Sequence, residues 1–223
     1  MVELVDASDS KSDGSNIVRV QVPPAAPLIF ILTLGQFLGL FFALSLNMPT
    51  PKITIVLNNI RSAWNVGAIM RTCDALGMDI ILIGYTPKPI GSNLKLIIKT
   101  AIGAEKTVPW EHFDHYQQVF SKYSSNCFHY GIELDKTSID IVDYLFREQS
   151  LVSLLNASPL EPKSIFLWLG NEIHGLEADL MAHTTANLHL RMQGDKESLN
   201  VSNCMTAVSY LFDTAIRLDG ESK

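Results

Sequence analysis

A chain of 223 residues makes one domain, or one domain with an appendage. With 47% hydrophobic and 18% charged residues it is not intrinsically disordered, and it can bury a core without disulfides or metals. A net charge of −6 excludes a basic protein that coats nucleic acid, so an RNA or DNA partner would need a local basic patch.

The first 47 residues differ from the rest. Residues 28–47 read LIFILTLGQFLGLFFALSLN, a run without a charge that is long enough to span a bilayer. It contributes much of the mean hydropathy of +0.17. A cleavable signal is disfavoured, because Glu3, Asp6, Asp9 and Asp13 outnumber Lys11 and Arg19 ahead of it. Residues 19–23, Arg-Val-Gln-Val-Pro, can be back-translated as CGG GTT CAA GTC CCx, which contains the GGTTCAAGTCC pattern of a tRNA T-arm. Residues 1–6 can likewise be written as a D-arm-like sequence in the same frame. The expectation is therefore that residues 1 to about 27 are translated tRNA gene, the apolar run is spacer, and the protein starts at Met48. The competing reading is a membrane anchor at 28–47. The DNA of the gene decides between them.

From Met48 onward, apolar runs alternate with helical patterns. Ile53–Leu57 (ITIVL) predicts a strand. Trp64–Leu76 has helical spacing through Val66, Ile69, Met70, Cys73 and Leu76, with Gly77 as its stop. Asp79–Ile83 predicts a second strand, and Gly84–Ser92, with Pro87 and Pro89, a loop. Helices are expected over Leu94–Ile102 and Glu111–Lys122. A strand follows at Asn126–Glu133 and a short helix at Ile139–Phe146. Ser164–Leu169 (SIFLWL) is the most hydrophobic strand, Leu188–Leu190 a short one, and Asn200–Leu218 a long helix. Buried strands alternating with helices imply an α/β fold, a parallel sheet covered by helices on both faces. Ligands bind such sheets at the carboxyl ends of the strands, so the informative loops follow Leu57, Ile83, Leu169 and Leu190.

Three segments carry chemistry. Asn58–Gly77 (NNIRSAWNVGAIMRTCDALG) enters a helix near Asn65 with Arg61 and Arg71 nearby. The helix N-terminus and these cations suit a phosphate or ribose. Equally, Arg71 could pair with Asp74 on a solvated helix. Phe166–Leu176 (FLWLGNEIHGL) runs from a strand into Gly170 and Gly175, which let a backbone approach a ligand closely. Its Glu172 orients a ligand or an arginine, or else caps the next helix. Leu188–Met205 (LHLRMQGDKESLNVSNCM) passes Gly194 and opens the last helix, with Ser198 as N-cap and Asn200 in the first turn, a pattern that capping alone would also explain. Seven basic residues against three acidic ones between Lys52 and Lys106 make this half the place to look for phosphate contacts, although a solvated face explains any single lysine.

Other chemistries lack support. No GxGxxG marks a dinucleotide site. Cys73, Cys127 and Cys204 form no CxxC pair and fit a reducing intracellular setting, with Cys73 and Cys127 read as small core residues. No cluster has metal spacing. His112 and His115, three apart on the expected helix, read as solvent-facing.

Together the three segments resemble the SpoU (TrmH-like) branch of the SPOUT RNA methyltransferases. Asn59 through Gly77 resembles the N-x-R-S-x-x-N-V-G-A-I-x-R-T-x-D-A-x-G signature. Gly170, Glu172, Gly175 and Leu176 resemble the G-x-E-x-x-G-L loop, and Met192, Gly194 and Ser198–Ser202 resemble M-x-G-x-x-x-S-L-N-V-S. The resemblance covers residues 51–218. It implies methyl transfer from S-adenosylmethionine to a ribose 2′-hydroxyl of tRNA or rRNA, by a cytoplasmic homodimer whose two subunits share the active site and whose sheet ends in a C-terminal trefoil knot. A non-catalytic RNA-binding protein on the same fold is the alternative. Carried over residue by residue, Asn65, Arg71, Glu172, Ser198 and Asn200 are the catalytic set. Leu169, Gly170, Leu190, Met192 and Leu199 line the cofactor pocket. Arg61 and Arg71 face RNA, and no metal is required. One departure stands out: the family usually has proline before the methionine, and this chain has Arg191. A looser cofactor loop and an added RNA contact both stay open as consequences.

Overall fold

The structure, a computed structural model, describes residues 51–147, 164–196 and 198–221. The readings made for residues 1–47 fall outside these, and no described helix is long and apolar enough to cross a membrane.

Strand β1 (Lys52–Asn58) leads into helix α1 (Ala63–Leu76) and strand β2 (Asp79–Ile83). Helix α2 (Leu94–Ala101), strand β3 (Trp110–Phe113), helix α3 (Tyr116–Lys122) and strand β4 (Cys127–Ile132) follow. Then come strand β5 (Ile139–Asp140), a π-helical turn over Asp143–Arg147, and strand β6 (Ser164–Leu169). Helix α4 (Ala178–Met181), strand β7 (Ala186–His189) and helix α5 (Val201–Glu221) complete the order.

All seven strands are parallel, in the order β3-β2-β1-β6-β4-β7-β5. The two-residue period of a strand splits its side chains between two faces. Ile55 and Leu57 of β1, Ile80 and Leu82 of β2, and Ile165 and Leu167 of β6 pack with Ile69 and Met70 of α1, Ile97 of α2 and Phe212 of α5. Val56, Ile81, Ile83, Phe166 and Trp168 face the other way, with Val119 of α3 and Leu180 of α4. A strand buried on both faces needs no polar alternation, which is why ITIVL and SIFLWL are continuous apolar runs.

Helix α1 ends at the expected stop and begins one residue earlier than its apolar spacing marks, at Ala63. Ser62 is its N-cap, accepting from the Asn65 N–H at 3.3 Å. At its end Gly77 takes a φ of 65°, and the Met78 N–H donates to the Cys73 carbonyl at 2.9 Å. That six-residue closure needs a left-handed residue, and glycine adopts it without a Cβ clash.

Several expected elements are corrected. The helix expected over Glu111–Lys122 is strand β3 followed by the shorter α3, because Trp110–Phe113 pairs with Ile80–Ile83 at the sheet edge. The break falls at Asp114 and His115, whose N–H groups both donate to Gln118 Oε1. His112 is therefore half-buried in a strand, with Nε2–H donating to the Gly84 carbonyl at 3.0 Å, while His115 is exposed. The short helix expected at Ile139–Phe146 opens instead as β5, paired to β7, and only then turns. The last helix starts at Val201, one residue later than expected. Its N-cap is Asn200 rather than Ser198: Asn200 Oδ1 accepts from the Ser202 N–H at 2.9 Å.

Candidate active site

The first three strands step toward one edge, and the later ones fill the other side of β1. Such a reversal opens a crevice at the carboxyl ends of the strands. Four adjacent strands, β1, β6, β4 and β7, open there onto the loops at Asn59–Ser62, Gly170–Leu176, Glu133–Leu134 and Leu190–Asn200.

The second of these loops is built on close approach. A Cβ on Gly170 would lie 2.1 Å from the Gly175 carbonyl carbon and 2.4 Å from the Leu176 nitrogen, so only glycine fits. Asn171 and Gly175 exchange backbone hydrogen bonds of 3.1 and 2.8 Å, and Gly175 holds a φ of 67°. The buried Asn171 amide spends both ends. Its Oδ1 accepts from the N–H groups of Ile173 and His174, and its Nδ2 donates to the Asn59 carbonyl at 2.8 Å and the Tyr85 hydroxyl at 2.7 Å.

This anchoring sends Glu172 to the start of α1. Its Oε2 accepts from the Arg61 N–H at 2.9 Å, and its Oε1 from the Ser62 N–H at 3.1 Å and from Asn65 Nδ2 at 3.0 Å. A carboxylate on free helix N–H groups is a favourable charge–dipole arrangement. Burial alone would raise the Glu172 pKa. The donors from Arg61, its own backbone, Asn65 and Ser62 outweigh that and hold the carboxyl below the ordinary range. The helix that Glu172 caps is thus α1, more than a hundred residues earlier, and not the next helix. The anion at the N-terminus of α1 is likewise the protein's own, so these N–H groups are not open to a phosphate.

The third segment joins the same network. Asn65 Oδ1 accepts from Asn200 Nδ2 at 3.2 Å, while Asn200 Oδ1 holds the backbone and hydroxyl of Ser202. Residues from all three segments therefore form one chain, Glu172–Asn65–Asn200. Beside it lies a cleft of about 460 Å³. Leu169, Gly170, Leu190, Met192, Ser198, Leu199 and Asn200, all singled out in the sequence, line it, together with Glu172.

Arg71 lies elsewhere. It is exposed in a second groove between α1, α2 and α5, with Thr72, Lys99, Ser202, Asn203 and Tyr210. The pairing with Asp74 does not occur: Asp74 accepts from the Thr107 hydroxyl, and Arg71 makes no ion pair among the described residues. Arg61 is exposed, with only its backbone N–H engaged.

Two polar residues of the cleft, Asn171 and Glu133, are among those that escape a reading by sequence. Asn171 stands between the two motif positions Gly170 and Glu172, and that adjacency was the signal available. Glu133, at the end of β4, accepts from the Leu176 N–H at 2.9 Å and carries no sequence signal. Cys204 also reaches the cleft, but burial, helped by the charge of Glu133, pushes its thiol up to about 11, so it is no nucleophile near neutrality. Among the described residues no cluster of His, Cys, Asp and Glu could hold a metal ion.

Residues 52–210 match the profile of the SpoU rRNA Methylase family. The chain belongs to that family. SpoU relatives include the 23S rRNA (guanosine-2′-O-)-methyltransferase RlmB of Neisseria meningitidis, 26% identical over 70% of this chain and 56% of that protein. Another is the tRNA (guanosine(18)-2′-O)-methyltransferase of Aquifex aeolicus, also 26% identical, over 71% of this chain and 67% of its own length. The chain thus spans just over half the length of the first relative. An AdoMet-bound rRNA methyltransferase from Sinorhizobium meliloti shares the SpoU fold, with a TM-score of 0.59 and 22% identity over 77% of this chain and 58% of that one.

Proposed function

We propose that the chain transfers a methyl group from S-adenosylmethionine to a ribose 2′-hydroxyl of tRNA or rRNA. The observation that carries this reading is the convergence of three distant segments on one hydrogen-bonded chain, Glu172–Asn65–Asn200, beside a cleft at the strand ends. The cleft suits the cofactor on its own terms. Its volume lies in the range for small-molecule sites. Leu169, Leu190, Met192 and Leu199 supply apolar walls for a purine, and Glu133 a carboxylate for an ammonium. Gly170, without a Cβ, lets the Gly175–Leu176 backbone close against it beside the cleft.

Held by Leu169, Leu190, Met192, Leu199 and Glu133, the cofactor would supply an electrophilic methyl on a sulfonium that is itself the leaving group, and the ribose hydroxyl would give up its proton to a phosphate or water. The protein must align that displacement and favour the developing alkoxide. Arg71 does this as a fixed cation. A guanidinium stays protonated, so it holds a phosphate beside the target ribose and does not act as a base. Asn65 keeps one amide hydrogen and one lone pair for the ribose, while its other hydrogen binds Glu172 and its other lone pair accepts from Asn200.

We further propose a cytoplasmic homodimer, with the trefoil knot of the family and residues 48–223 as the methyltransferase domain. A second copy seated over the α1–α5 groove would set Arg71 at the junction of two chains and so supply what one copy separates.

The test incubates the full chain with labelled S-adenosylmethionine and unmodified total RNA, then digests the RNA for mass spectrometry. A labelled 2′-O-methyl nucleoside is the expected product. Methyl transfer to a base, or cofactor binding without transfer to any RNA pool, would overturn the reading.

A further inference from the structure

We propose that Arg191 is a positioning residue that latches the wall of the cofactor cleft to the β5 segment, in place of the proline usual there in the family. This rests on the reading of the cleft as the S-adenosylmethionine site. Leu190 and Met192, on either side of Arg191, line that cleft beyond the end of β7 at His189, with Leu190 also packed against the core. Arg191 turns to the neighbouring segment instead. Its Nε lies 3.1 Å from Asp140 Oδ2, and its Nη2 3.4 Å from Asp143 Oδ2.

Asp140 is well placed to receive it. Its side chain is only 11% exposed, and its Oδ1 already accepts from the N–H groups of Val142 at 2.9 Å and Asp143 at 3.2 Å. The carboxylate is therefore fixed by the turn that follows β5 before the arginine arrives. A planar guanidinium reaching two carboxylates sets both distance and orientation, which a lysine would not. Two residues earlier on each segment, His189 Nδ1 and Ser138 Oγ make a second tie of 2.9 Å. β7 and β5 are in register at Asp140 and His189, so the latch continues a ladder that the short β5 strand cannot extend. Proline would restrict this turn covalently. Arg191 restricts it through charge, which makes the rigidity of the cleft wall sensitive to salt.

The test uses the full chain and four variants: R191A, R191P, D140N and the double variant R191A/D140N. Titration calorimetry reads S-adenosylmethionine affinity at about 50 mM and about 500 mM salt, and hydrogen exchange of the ligand-free protein reads the 190–199 amides. Loss of the latch should weaken the cofactor by about threefold to tenfold in R191A and D140N, with no further loss in the double variant. Those amides should exchange faster in both. R191P should recover affinity and lose the salt dependence seen in the parent chain. Unchanged cofactor affinity and exchange in R191A, with weaker RNA retention on filters, would overturn the latch and make Arg191 an RNA contact. Additive losses in the double variant would also overturn it. If the parent chain binds no S-adenosylmethionine, the cofactor reading fails by itself, and the exchange measurement still decides the latch.

Discussion

Two hydrogen-bonded chains start four residues apart, at Trp168 in β6 and at Glu172 in the loop after it, and they are opposites. Beneath α3, the Trp168 indole N–H donates to His129 Nδ1 at 3.1 Å, and His129 Nε2–H donates to the Tyr123 carbonyl at 3.2 Å. Phe166 stacks on the imidazole at 4.7 Å, and Phe120 on the indole at 4.7 Å. Each polar atom there has its partner, the tautomer is set, and burial holds the imidazole below its ordinary pKa against the opposing Tyr123 bond. At the strand ends, Glu172, Asn65 and Asn200 are equally well connected, yet they are more open and retain spare valences. Arg61, whose backbone N–H binds Glu172, and Arg71, in its separate groove, both have exposed guanidinium groups and no ion pair among the described residues. Saturated polar groups in a dry setting specify a structure. Polar groups held by one side and open on the other are prepared for a ligand.

The largest effect expected comes from Trp168→Ala. Removing a fully buried indole and orphaning His129 should cost about 3–5 kcal/mol in chemical denaturation. A loss below about 1 kcal/mol would mean the cluster is not the structural anchor. Next is Arg71→Ala, which should lower kcat by about 100-fold while S-adenosylmethionine affinity and melting temperature stay within error. An equal loss of affinity would make Arg71 structural and blur the contrast between the two regions.

Glu172→Gln should reduce stability by about 1 kcal/mol, because an amide presents only one acceptor oxygen, without charge, to the N–H groups of Arg61 and Ser62. It should lower turnover as well, by releasing Asn65. Melting without any change in activity would place Glu172 outside the site.

The smallest effects are in pH dependence, and they fall in different windows. The pKa of His129 is depressed on folding, so the unfolded chain takes up its proton first, and stability should decline as pH falls below the ordinary value of 6.5. His129→Gln should flatten that part of a melting-temperature profile. Glu172 is also depressed, so its contribution is intact above the ordinary value of 4.5 and is lost as pH falls through the folded value. Glu172→Gln should flatten only that lower arm. One variant flattening both arms would contradict the separation.

Much of this was legible before any coordinates. Gly77 directly follows the helix it ends, and a glycine stop is a local signal, whereas the Ser62 cap came only with the structure. The apolar runs of β1 and β6 carry their two-sided burial in their composition. The three segments also stood out by residue type and spacing, and Leu169, Gly170, Leu190, Met192 and Leu199 line one cleft. Where reading failed, pairing was at stake. The period through His112, Tyr116 and Phe120 imitates a helix, and only the edge of β2 makes Trp110–Phe113 a strand. Strand β5 exists through its pairing with β7.

The sequence by itself determined the layered parallel sheet, the stop of α1 and several of the residues that line one cleft, because periodicity, capping and composition act over a few residues. The tertiary structure alone decided what those residues do to one another. It turned Glu172 onto the start of α1 across more than a hundred residues, made Asn200 both a cap and a bridge to Asn65, set Arg71 in a separate groove, and gave Arg191 two carboxylates. Those partners depend on strand order, which brings β1 beside β6 and β7 beside β5, and no local signal encodes which strands become neighbours.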